Sequence, residues 1–101
     1  GGGGAGGPFI VLAAPTITLG ATSIVDARGG AGANGVAGNS GGGGGGGGGV
    51  VVFIARSITR TSGYQVLVTG GARGVKSGTG TDGTVGADGT IYWWAPTIID
   101  N

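Results

Sequence analysis

The chain has 101 residues, 30 of them glycine, against an ordinary usage of roughly 7%. Five Lys and Arg stand against four acidic residues, and His, Cys and Met are absent, leaving a net charge of +1. This inventory excludes an imidazole base, a thiolate, a disulfide and a zinc site of the usual kind, and it offers no electrostatic footprint for nucleic acid or an anionic membrane.

Gly1–Gly7 open the chain as a glycine tract broken only by Ala5. The apolar run over residues 9–14, beginning Phe9-Ile10-Val11-Leu12, predicts a strand buried on both faces. Thr16-Ile17-Thr18-Leu19 alternates polar with apolar, the period of a half-buried strand, and a further alternating run covers Ser23–Ala27. A looser glycine tract, Gly29–Gly38, follows. Within it Gly30-Ala31-Gly32-Ala33-Asn34-Gly35 matches a dinucleotide fingerprint, but no helix can begin at Val36-Ala37-Gly38, and the match is chance.

The central tract is Gly41, Gly42, Gly43, Gly44, Gly45, Gly46, Gly47, Gly48 and Gly49. One ordered form is an extended threefold helix of the polyglycine II kind, rising about 3.1 Å per residue. Such helices can bond laterally because no side chain intervenes, and the tract is the candidate packing element. The alternative is a flexible spacer. Under the packed reading a Val at Gly45 clashes, whereas a Val at Gly63, in a turn, is milder unless that glycine has φ > 0.

Residues 50–55 (Val-Val-Val-Phe-Ile-Ala) repeat the apolar run, and Ser57–Arg60 and Tyr64–Val68 repeat the alternating ones. Gly70–Ser77 resembles a phosphate-binding loop, but Val75 occupies the place of the glycine before Lys76. Asp82-Gly83-Thr84 and Asp88-Gly89-Thr90 read as turns rather than a calcium site. Tyr92-Trp93-Trp94 completes the aromatic inventory. In a strand, Trp93 points away from its two neighbours, so one set plugs a core and the other faces outward. With Tyr64, these three form the candidate contact surface.

Self-similarity organises the whole chain. Shifted without a gap so that Gly1–Gly4 fall on Gly42–Gly45, the chain also sets Phe9–Leu12 on Val50–Phe53 and Gly29-Gly30-Ala31 on Gly70-Gly71-Ala72. Ala95-Pro96-Thr97-Ile98 repeats Ala14-Pro15-Thr16-Ile17. The expected architecture is all-β: one extended, repetitive module of about two and a half 41-residue repeats (1–41, 42–82, partial 83–101). Short strands alternate with polyglycine-II-like tracts, and no helix exceeds one turn, because glycine costs about 1 kcal/mol per helical position relative to alanine. Apolar runs this short cannot span a bilayer. With Gly1 in place of Met and no signal peptide, the chain reads as a processed protein or a piece of a longer one.

Glycine tract, Val-Val-Val-Phe-Ile-Ala-Arg-Ser-Ile-Thr (50–59), Gly-Gly-Ala and the closing run Thr81–Tyr92 together resemble glycine-rich repeat segments of bacteriophage tail-fibre and tip-adhesin proteins. That resemblance implies polyglycine helices packed into a rigid bundle, a virion-surface or extracellular location, self-association, and a cell-surface receptor, glycan or protein, as partner. This chain gives more of itself to strands and carries no hypervariable loops. The runner-up function is a secreted protein assembling into an extracellular filament. Ice binding would need regular Thr ranks, for which Thr16, Thr18, Thr22 and Thr59 are few, and an enzyme comes last, with no catalytic, cofactor or metal site.

Overall fold

A computed structural model describes every residue from Gly1 to Asn101. It is all-β and contains no helix. Strands β1 (Phe9–Ala13), β2 (Thr16–Leu19) and β3 (Ile24–Asp26) are followed by β4 (Val50–Ile54), β5 (Ser57–Arg60) and β6 (Gln65–Leu67), then β7 (Thr90–Trp94) and β8 (Thr97–Asp100). They form three small parallel sheets, ordered β1-β4-β7, β2-β5-β8 and β3-β6. No strand pairs with its sequence neighbour. Parallel pairing requires a long excursion between partners, and here the excursions are the glycine-rich segments rather than helices.

The register is constant. Phe9 lies beside Val50, Thr16 beside Ser57 and Ile24 beside Gln65, always the same step along the chain. The Asn34 side chain and the Val75 amide, hydrogen-bonded outside the strands, are separated by that step too. Val50 lies beside Thr90 and Ser57 beside Thr97, a step shorter by one. Two-residue corners, Ala14-Pro15, Ala55-Arg56 and Ala95-Pro96, carry the chain from the first sheet to the second. Three strands at about 4.8 Å spacing account for the short dimension of a 56 × 21 × 13 Å body. Tracts and strands run along the long one.

The core lies between the sheets: Val51 and Phe53 from β4, Ile58 from β5, with Leu19, Ala27 and Ala55. Phe53, Ile58 and Val51 are completely enclosed because β4 and β5 are central strands, flanked on both sides. The expectation that 9–14 and 50–55 are buried on both faces holds only for the inner face of β4; on the same side of β1, Ile10 is half-buried and Leu12 is 36% exposed, because β1 is an edge strand. Phe9 is 70% exposed, and Val11 and Ile54 are exposed with it, because nothing packs on the outer side of the β1-β4-β7 sheet.

Two local expectations also change. Gly83 and Gly89 are not turn glycines: neither has positive φ, and residues 81–89 run without a turn. The glycines that do take positive φ are Gly38, Gly63 and Gly78, together with Ala37. Gly63 has φ 105°, so the condition for a mild Gly63→Val substitution fails, and an added Cβ would also lie 2.7 Å from the Ala21 carbonyl oxygen.

Truncating an enclosed aromatic removes its transfer energy and leaves a cavity, so Phe53→Ala should cost about 3–5 kcal/mol in chemical denaturation. Val36→Ala, at a position 80% exposed, should stay within about 0.5 kcal/mol of the parent. Equal losses at the two positions would mean that the core is elsewhere.

Candidate interaction surface

Only 16 of 50 backbone hydrogen bonds belong to the strands; most of the rest join the glycine-rich segments to one another. Gly42, Gly45 and Gly48 donate to the carbonyls of Thr81, Thr84 and Ala87 at 2.7–2.9 Å, and Gly43, Gly46 and Gly49 donate to Ala33, Gly30 and Ala27 at 2.7–2.9 Å. The carbonyl oxygens of Gly44 and Gly47 accept from Gly4 and Gly7, and those of Gly43 and Gly46 accept from Gly74 and Gly71. The central tract is thereby bonded to four neighbours. Tracts 1–7 and 81–89 flank it in one layer and run the same way. Segments 27–35 and 68–75 form a second layer and run opposite, as their descending partner numbers require.

These bonds recur at every third residue, so each tract presents three distinct sides. A Cβ at Gly42, Gly45 or Gly48 would overlap the backbone of 68–75; one at Gly43, Gly46 or Gly49 would overlap that of 2–8. At Gly44 and Gly47 the nearest atom is a carbonyl oxygen 3.7 Å away, an ordinary contact. That third side faces outward. The missed signal was spacing: Gly80, Gly83, Gly86 and Gly89 recur every third residue, and a Cβ at any of them would strike the backbone of 40–49. The intervening Asp82 and Asp88 accept from the Lys76 and Gly70 amides at 2.8 and 3.0 Å.

The aromatic residues divide by strand parity. Trp93 turns inward and stacks on Phe53, with centroids 4.2 Å apart and planes 6° from parallel. Tyr64 meets its edge at 6.1 Å, and the Arg60 guanidinium carbon sits 4.8 Å from its centroid. Arg60 is held there by Asp100, with Nη2 to Oδ2 at 2.7 Å. Tyr92 and Trp94 turn outward and are 57% and 62% exposed. The structure thus joins Tyr64 with Trp93 and separates both from Tyr92 and Trp94.

The outward side of β1-β4-β7 forms three rows across the strands: Phe9-Val50-Thr90, Val11-Val52-Tyr92 and Ala13-Ile54-Trp94. It carries no charge. The outward side of β2-β5-β8 is its chemical opposite, with rows Thr16-Ser57-Thr97 and Thr18-Thr59-Ile99. Water satisfies those hydroxyls, whereas it gains nothing from the valines and aromatics of the first face. A shallow depression of about 410 Å³ lies by Asp26, Arg28 and the 69–72 backbone. Its charged pair is internally matched, Arg28 Nε and Nη2 lying 2.9 and 2.8 Å from the Asp26 carboxylate oxygens. No cluster of metal-ligating side chains is present.

Gly45→Val and Gly63→Val should both lower the melting temperature, the first by overpacking worth about 1–3 kcal/mol and the second by backbone strain. Gly44→Ala should be neutral or stabilising by up to about 1 kcal/mol, since it restricts the unfolded chain without a clash. Calorimetry of the three variants checks this, and a harmless Gly45→Val would mean the tract is unpacked.

Arg28 and Arg60, by hydrogen bonding to Asp26 and Asp100, hold those carboxyls below the usual carboxylate range. A depressed folded-state pKa contributes stability above the unfolded value of about 3.9, and that contribution is lost as pH falls through the folded value. Both carboxylates are exposed, so the effect is small. The Asp26→Asn, Asp100→Asn double variant should be less stable than the parent near neutrality and converge with it in acid; a constant difference in denaturation midpoint across pH would refute the assignment. Comparison of the chain with protein-family models, curated proteins and solved structures finds no match.

Proposed function

We propose that this chain is a rigid structural and adhesive module of a viral tail fibre or a similar surface appendage, working outside the cell or on the virion surface. In this reading it is built from stacked copies of one repeating unit, and the glycine tracts are polyglycine-II-like threefold helices packed into a bundle. The observation that carries the reading is the periodicity of the lateral bonds made by 41–49, which recur at every third position. Three residues per turn is the repeat of that helix. A flexible spacer would leave its amides to water; here two of every three amides in the tract have a carbonyl partner.

Rigidity follows from the bonding. Each tract is tied along its length, so bending one requires breaking bonds to several others. Adhesion is assigned to the exposed Tyr92 and Trp94 end of the body, where aromatic surface stands free for a glycan or protein receptor.

Two measurements test the reading. Amide hydrogen exchange by NMR should be slow at Gly42, Gly43, Gly45, Gly46, Gly48 and Gly49 and faster at Gly44 and Gly47; uniformly fast exchange along the tract would reduce it to a spacer. Immuno-electron microscopy with antibodies to the chain should label appendages projecting from particles. Labelling along free extracellular filaments would replace the fibre reading with a filament protein.

A further inference from the structure

We infer that copies of this chain stack head to tail, the free edge of β1 and β2 in one copy docking against the free edge of β7 and β8 in the next. The inference rests on those two edges alone and holds whether the stacks build an appendage or a free filament.

The strand sets β1 to β3, β4 to β6, and β7 with β8 are three rungs, and only the middle one has strands paired on both sides. In the first rung Ala14 donates to Ile54 and Pro8 accepts from Val50, so the backbone groups of Phe9, Val11 and Ala13 point away from β4. In the last rung Thr90 donates to Gly49 and Trp94 accepts from Ala55, so those of Ile91 and Trp93 point away as well. An open row of this kind is a template for another strand, and proteins usually blunt it with lysine, proline or a bulge. β1, β2 and β7 contain no charge and no proline, and the one charge in β8, Asp100, is engaged by Arg60.

The glycine tracts fix which edge meets which. Residues 1–7 donate to the central tract through Gly4 and Gly7, and the central tract donates to 81–89 through Gly42, Gly45 and Gly48. Bonding therefore runs one way across the rungs. It leaves the carbonyls of Gly3 and Gly6 unbonded at the first edge, and the amides of Asp82, Val85 and Asp88 unbonded at the last. Acceptors line one edge and donors the other, both at three-residue spacing. Two first edges would set acceptor against acceptor, so a twofold pairing gains nothing from the tracts. A first edge laid on a last edge matches.

Continuing the register by one rung places Phe9 of the second copy beside Thr90 and its Thr16 beside Thr97. The Val85 and Asp88 amides then reach the second copy's Gly3 and Gly6 carbonyls. Its Phe9 amide reaches the Gly89 carbonyl, and its Ala13 carbonyl accepts from the Ala95 amide. The inner rows run on: Ile10 of the second copy meets Ile91, its Leu12 meets Trp93 and its Ile17 meets Ile98. The back of the body is closed instead. Gly29, Gly32 and Gly35 donate to Thr69, Ala72 and Val75, but the next amides in that series, Gly70 and Lys76, are capped by the Asp88 and Asp82 carboxylates at 3.0 and 2.8 Å. The junction therefore forms through the first two sheets and the front tract, and β3 of the second copy lies two strand spacings beyond β6 across a slot that water fills. Tyr92 and Trp94 stay on the open outer face. A contact between two different surfaces that does not close on itself grows as an open stack, here rising roughly 14 Å per copy for three strands at about 4.8 Å each.

Electron microscopy, sedimentation and cross-linking test the stack on the whole chain. At high micromolar concentration the parent should form rods whose diffraction shows a repeat of about 4.8 Å along the rod axis. Val11→Pro removes one outward-pointing amide from an edge strand, where proline is tolerated, and should keep the parent's circular dichroism. Alone it should sediment at the 9.3 kDa monomer mass; added in small amounts to the parent, it should shorten the rods by capping one end. Val11→Cys mixed with Tyr92→Cys should yield a cross-linked pair with a short bismaleimide, and neither variant alone should. A parent that stays monomeric overturns the proposal, and so do rods that survive Val11→Pro. If Val11→Pro fails to fold, the cross-links decide: a pair formed by Val11→Cys alone or Tyr92→Cys alone, or none from the mixture, would mean that the copies meet through another surface.

Discussion

The structure depends on one condition: backbones approach one another at hydrogen-bonding distance in two directions at once, which requires the absence of Cβ. A sheet satisfies its amides within a single plane and keeps its side chains above and below. The 41–49 tract bonds sideways to 1–7 and 81–89 and downward to 27–33 and 68–75, so two of its three sides have no space for a methyl group. The cost is the high conformational entropy that glycine loses on ordering. It is offset by bonding two of every three amides in the tract, and by strands that fix the ends of the tracts in register.

Strands and tracts need each other for the same reason. An isolated glycine segment has no apolar surface to bury, so nothing but backbone bonding would hold it. The core at Phe53, Val51 and Ile58 provides the burial, and the strands that carry it run directly into the tracts: Gly49 is followed at once by Val50, and Gly89 by Thr90. A register set by the side-chain ladder therefore passes unchanged into the glycine layers. The offset shared by all strand pairs between the same two layers follows from this, since a slip in any tract would misplace every pair in the attached strand.

The same layering explains why the outer surface is divided. Strand parity sends Phe53 and Trp93 inward and leaves Val52, Tyr92 and Trp94 outward, while two residues of corner turn the chain so that Thr16, Thr18, Ser57 and Thr59 look out from the next sheet. One body therefore shows an apolar side and a hydroxyl side joined by a corner, with six of its nine charged residues in the pairs Arg28–Asp26, Arg60–Asp100 and Arg73–Asp82. Arg60 reaches further, stacking on Trp93 and tying the third layer to the second.

The amino-acid order by itself determined the β class, the strand positions and the pairing offset between the first two sets of strands, because β-branched runs and their recurrence at a fixed interval are local, countable features. It placed Trp93 opposite in sense to Tyr92 and Trp94 for the same reason, period-two alternation. It left undetermined which face of an all-apolar strand is covered: Phe9 and Ile10 are equally apolar, and only the packing of three sheets around one core makes the first exposed and the second half-buried. Composition also masked the order within 80–89, where Asp-Gly pairs resemble turns until the glycines are seen to meet a neighbouring backbone at every third position. The φ of Gly63 was decided by the turn that holds it, not by its type. Local periodicity is written into the chain, whereas coverage, close approach and dihedral sign depend on what lies next to a residue in space.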